Sequence, residues 1–122
     1  MSFTINIQGI EALQKRLNQD LKEKVSAALT AGALTIKGKA AIYPPPVGYP
    51  RTGRLGRSWT IMSSLGGLTV EIGNNTPYGP YVQDEGQQTW FHAAHGWSRF
   101  QQVARDNEAE VVAKVKKALD GL

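Results

Sequence analysis

The 122-residue chain is expected to fold as an α+β domain, a small antiparallel sheet with a long N-terminal helix and a C-terminal helix packed on it. Three observations predict this. Apolar residues recur every three or four positions from Ile10 to Tyr43, the period of a helix face. Two alternating runs, near residues 55–63 and 68–72, flank the turn-like Ser64-Leu65-Gly66-Gly67, as in a hairpin. A second amphipathic stretch closes the chain. The order β-α-ββ-α, with no internal repeat, places residues 1–122 in one domain with the helices on one face of the sheet.

Taken in order, residues 2–8 alternate at Phe3, Ile5 and Ile7 and read as a strand. Gly9 breaks that pattern. The helix then carries Ile10, Leu13, Leu17, Leu21, Val25, Leu29, Ala33, Ile36, Ala40 and Tyr43 on one face, and Pro44, Pro45 and Pro46 end it. At about 1.5 Å per residue, residues 10–43 would run about 50 Å, longer than a domain of this size, roughly 35 Å across. Either a kink at Gly32 or Gly38 or a projecting end is expected. Residues 44–53 form a stiff Pro/Gly-rich loop carrying Val47 and Tyr49, read either as a connector or as an arm for a neighbouring subunit.

In the hairpin, Leu55, Arg57, Trp59, Ile61 and Ser63 share one face, and Leu68, Val70 and Ile72 share another. Asn74-Asn75-Thr76-Pro77 closes the second strand. Residues 78–87 suggest one helical turn ending at Gly86, and residues 88–97 a short strand or irregular loop. A final helix is expected from Ser98, which has capping-box spacing to Gln101. Its apolar face is Phe100, Ala104, Val111, Val115, Ala118 and Leu122, with Asp106, Glu108 and Glu110 early and Lys114, Lys116 and Lys117 late, the order that suits a helix dipole.

Composition narrows the chemistry. Hydrophobic residues are 41% and charged residues 20%, ordinary for a globular chain. With no cysteine, disulfides, thiolate zinc sites and cysteine nucleophiles are excluded. No apolar run is long enough to span a membrane, and the first residues lack the pattern of a secretory signal. The net charge of +4 is spread along the chain, whereas a dedicated nucleic-acid binder concentrates it. His92 and His95 stand three apart but lack a third ligand. Asp84 and Glu85 point oppositely in extended chain rather than converging as an acid/base pair. Ser58 and Ser98 have no visible triad partner. Arg51-Thr52-Gly53-Arg54-Leu55-Gly56-Arg57 lacks the spacing of a phosphate-binding loop and is read as a turn with arginines on a polar interface. No catalysis, metal or cofactor is therefore expected. Tyr78, Tyr81, Trp90, Phe91 and Trp97 crowd into twenty residues, with the tyrosines expected in the core and Trp90 or Trp97 nearer an interface.

Several segments carry a family resemblance. Residues 50–59, PRTGRLGRSW, resemble the T-G-x-L-x-x-S element of the tail-component family of long-tailed bacteriophages. Residues 73–86, GNNTPYGPYVQDEG, resemble the segment after its second strand. Residues 87–97, QQTWFHAAHGW, are similar to a Q-x-W-x-H stretch of one branch. The Pro44–Pro46 run is longer than that pattern, and Gly56 stands where a larger residue is common. The resemblance implies a non-enzymatic virion protein, made in the host cytoplasm. It implies a ring in the neck, sixfold in preference to twelvefold, that completes the tail or joins it to the head. Its partners would be copies of itself, other neck or tail-tube proteins, and DNA passing without sequence-specific contact.

A ring closes through head-to-tail contacts between unlike patches. The expected interface set is Val47, Tyr49, Arg51, Arg54, Arg57, Asp84, Glu85, Trp90 and Trp97, with Arg54 or Arg57 facing Asp84 or Glu85 of the next subunit. The alternative reading is a small basic nucleic-acid-binding or nuclease/toxin-like domain.

Overall fold

The structure, a computed structural model, describes residues 1–6, 16–45, 53–64 and 67–120. In chain order its elements are β1 (Ser2–Asn6), α1 (Gln19–Ala40), α2 (Arg54–Arg57), β2 (Trp59–Ser64), β3 (Thr69–Asn74), α3 (Gly79–Gln83), α4 (Trp90–Ala94), α5 (Phe100–Asp106) and α6 (Glu108–Ala118). The strands form one antiparallel sheet in the order β1-β3-β2. This is the α+β arrangement expected, with a long helix near the N-terminus.

Local chemistry explains the limits of α1. The Asn18 side chain accepts a hydrogen bond from the Leu21 N–H at 2.9 Å, satisfying a donor the helix cannot. Asp20 lies in the first turn and Lys37 and Lys39 in the last, complementing the dipole. Pro44 lies just past the helix's end, where it cannot extend it. The stripe Leu21, Val25, Leu29, Ala33, Ile36 and Ala40 is buried, as the three-and-four spacing required. It packs on the inner face of the sheet, where Val70 and Ile72 of β3 and Trp59 of β2 are buried. Glu71, Thr60 and Met62 alternate to the outside. Trp59 meets Phe100 of α5, ring centroids 4.7 Å apart.

The helix differs from expectation in length. Arg16 is helical, Leu17 and Asn18 are not, and α1 has 22 residues, about 33 Å at 1.5 Å per residue. That fits a small domain. The part expected over residues 10–15 lies outside the described residues, as do Ile7, the arm residues Val47 and Tyr49, Arg51, and the turn residues Leu65 and Gly66. Gly32 and Gly38 both lie within unbroken helix. Gly32 instead allows close approach: a Cβ there would sit 2.7 Å from Val111 Cγ2 of α6.

Four further expectations are corrected. Leu55 and Arg57 belong to α2 rather than β2, because Gly53 at φ +77° opens a turn that the Arg57 N–H closes onto Gly53 O at 3.1 Å. Leu55 is nevertheless buried. The turn after β3 is α3, which ends at Asp84 rather than Gly86. Residues 88–97 contain a short helix, α4, capped by Thr89, not a strand. The C-terminal helix is two helices, starting at Phe100 with no side-chain cap, and Ser98 serves elsewhere. The two meet at Asn107, whose buried amide donates to Val103 O at 2.7 Å and accepts from Lys39 Nζ at 2.6 Å. Those bonds fix the corner between α5 and α6 against the end of α1.

Candidate assembly surface

Three side-chain amides hold the segment after β3. Asn74 is buried; its amide donates to Leu55 O at 2.9 Å, and its Oδ1 accepts from Thr76 N at 3.0 Å and Thr76 Oγ1 at 2.7 Å. The Asn-x-Thr turn therefore ties the end of β3 to α2. Gln83, 1% exposed, donates to Ala40 O and to Ser98 Oγ, both at 2.8 Å, so α3 is pinned to the end of α1. Gln88 donates to Val82 O at 2.8 Å and Trp97 O at 3.1 Å and accepts from Arg99 Nε at 3.0 Å. A buried amide left without partners is costly, so these bonds make residues 74–99 a rigid platform rather than a loose loop.

On this platform the aromatic side chains divide differently from expectation. Trp97 is half-buried, its ring 5.0 Å from Tyr43 and 6.1 Å from His92. The Tyr43 hydroxyl accepts from the Gly56 N–H at 2.9 Å, and a Cβ at Gly56 would lie 3.1 Å from Tyr43 Cε1. This close seat accounts for the small residue at position 56. Tyr78 and Tyr81, expected in the core, are exposed, and Trp90 is 79% exposed. The Thr89 N–H donates to Tyr81 O at 2.9 Å, which brings the backbones of α3 and α4 together beside Trp90. Trp90 touches Phe91 edge-on, and Phe91 stacks on His95 at 4.1 Å.

The charged residues are brought together in part. Arg54 lies over the Tyr78 ring, 5.9 Å from its centroid, a cation–π arrangement. Arg57 folds back beside Gly53. The acids are engaged inside the chain. Asp84 accepts from Gln101 Nε2 and from the Gly86 N–H. Glu85 forms a two-pronged pair with Arg105, including Nη1 to Oε1 at 3.2 Å, and that hydrogen bond holds its carboxyl below the usual range despite some desolvation. Arg105, Gln83 and Gln101 were not foreseen because they bond to residues fifteen or more positions away, and Gln88 because its partners, six to eleven positions away, match no turn or cap spacing; the Asn74-x-Thr76 turn had a local signature.

The histidines are structural in their contacts. His92 Nδ1 lies 2.7 Å from Thr89 Oγ1, and His95 Nδ1 lies 2.6 Å from Phe91 O. Burial, then the neighbouring His95, push the His92 pKa down, partly offset by a bond to the Tyr81 backbone. Among the described residues no three His, Cys, Asp or Glu side chains gather as metal ligands, and no helix is long and apolar enough to cross a membrane.

Comparison places the chain among the components of bacteriophage tails. It belongs to the family described as "Bacteriophage HK97-gp10, putative tail-component", whose model matches residues 8–84. The match runs from before α1 to the end of α3, and so includes the hairpin and the Asn74 turn. No curated protein and no solved structure matches the chain significantly.

Proposed function

We propose that this tail component works by closing into a ring in the neck of the particle, completing the tail or joining it to the head around the DNA channel. The observation that carries the reading is Trp90, left 79% exposed on a segment that the Gln83 and Gln88 amides tie to its neighbours. A tryptophan so displayed is the kind of side chain that anchors an interface. A small domain needs two unlike patches for head-to-tail closure. The Trp90 and Tyr81 side supplies one, and the Arg54 and Arg57 turn contributes to the other, with Trp97 supporting both from beneath. Asp84, bonded to the neutral Gln101 amide and Gly86 N–H, is the better acidic partner for those arginines in a neighbour than Glu85, whose charge is already paired with Arg105. Sixfold symmetry is favoured, with DNA passing without sequence-specific contact. The nucleic-acid-binding or nuclease alternative gains no support from the family match.

The test is genetic. A phage or prophage lacking this protein should yield filled heads and separate tails, and supplying the wild-type protein in the lysate should join them. Trp90→Ala should fold normally yet fail to restore joined particles. Normal head–tail joining without the protein would overturn the neck assignment.

A further inference from the structure

Among the described residues the sheet has two open edges. The Asn74 N–H donates to Met1 O at 2.9 Å, which fixes the direction of every backbone group on the central strand. In an antiparallel ladder, successive residues of a middle strand bond alternately to its two neighbours. Val70, Ile72 and Asn74 therefore turn toward β1, and Thr69, Glu71 and Gly73 toward β2. With the register Thr60↔Gly73, Met62↔Glu71 and Ser64↔Thr69, the N–H and C=O groups of Trp59, Ile61 and Ser63 point away from the sheet. By the register Ser2↔Gly73 and Thr4↔Glu71, those of Ser2, Thr4 and Asn6 do the same on the opposite edge. No strand among the described residues pairs with either edge.

Such edges are usually guarded by lysine, proline, a charge or a bulge. Here β1 is SFTIN and β2 is WTIMSS, with no charge and no proline in either. The one charged residue of the sheet, Glu71, sits on the central strand, where it guards nothing. Both edges are also exposed along the outer face, at Ser2 and Thr4 on one and at Thr60 and Met62 on the other.

We propose that the β2 edge of one copy pairs with the β1 edge of the next, so that the sheets of successive subunits join into one continuous sheet. The occupant is a second copy because the two edges are complementary and lie on opposite sides of the same molecule, the unlike pair that head-to-tail closure requires. β1 and β2 are each antiparallel to β3, so they run the same way. A rotation about an axis along the strands preserves that direction, and the new pair is parallel. Six copies of a three-stranded sheet give a barrel near the roughly 16–18 strands that leave an aqueous channel. The inference rests on the ring reading above and specifies which surfaces close it.

The chain has no cysteine, so engineered ones report cleanly. Thr4, Glu71 and Met62 form one row across the sheet. Within a chain, Thr4 and Met62 are two strand spacings apart, about 9–10 Å, beyond the reach of a disulfide. Thr4→Cys and Met62→Cys proteins, mixed and oxidised at assembling concentration, should give a mixed cross-linked dimer, and the double variant a ladder ending at the ring. Pairing Ser2→Cys with Met62→Cys, and Thr4→Cys with Thr60→Cys, covers a register shift of two in either direction. Ser63→Pro removes an outward N–H without touching the β2–β3 ladder, and should abolish the cross-link while its thermal unfolding stays cooperative. Rings seen by electron microscopy without any β1–β2 cross-link, or with like-to-like cross-links only, would overturn the edge pairing and leave the ring intact. A protein showing neither ring nor cross-link overturns both.

Discussion

Gln83 illustrates how much one side chain organises here. Its single amide nitrogen bridges Ala40 O and Ser98 Oγ, so Gln83→Leu takes that donor from the buried Ala40 carbonyl and from the half-buried Ser98 hydroxyl. The expected loss is about 1–3 kcal/mol of unfolding free energy, read by urea denaturation. Trp90→Ala should change stability by no more than about 0.5 kcal/mol, because the side chain is solvent-exposed, yet it should weaken assembly. A large loss of stability in that variant would place Trp90 in the packing instead. His92 makes the pH dependence predictable. Its folded pKa is lowered, so on acidification the unfolded chain takes up its proton first, near about 6.5. Stability is therefore full above that value and falls as pH drops from it toward the folded pKa. His92→Gln should flatten that part of a melting-temperature profile; an unchanged profile would assign the acid sensitivity to other groups.

Among the elements, α1 against α6 is the contact most open to test. Gly32 has no room for a Cβ because Val111 Cγ2 would stand 2.7 Å away. Gly32→Ala should therefore destabilise the protein, against the gain of about 1 kcal/mol that alanine brings to a helix interior. In a Val111→Ala background the same change should become neutral or stabilising, a coupling visible in a double-mutant cycle. Additive effects would mean the helices do not meet there. Helix α1 and the β2–β3 pairing were legible in the sequence because their burial is periodic: the positions read as one face, Leu21 to Ala40, are the buried ones. Where the period was ambiguous the reading failed. Leu55, Arg57 and Trp59 alternate as a strand does, but Gly53 at positive φ turns the first two into α2. The sequence at 88–97 holds too few residues to show any period, and α4 exists because Thr89 caps it and Gln88 closes it from behind. The bonds of Gln83 and Gln101 to residues fifteen or more positions away leave no local trace, and the aromatic crowding of residues 78–97 does not by itself distinguish the exposed Tyr78 and Tyr81 from core residues.

At the scale of the whole molecule, the described chain buries its helix stripe and inner sheet face and leaves outside an aromatic platform and two unguarded strand edges. These are the surfaces through which the proposed ring would join one copy to the next. The measurement that tests this most directly is the mass of the purified protein across a concentration series, by native mass spectrometry, with negative-stain images of the same samples. The account predicts a single closed species at a fixed multiple of the 13.3 kDa chain, six in preference to twelve, seen as rings and lost in Trp90→Ala. Monomer alone at every concentration, with no uptake of the protein into rings when isolated tails are added, would contradict it.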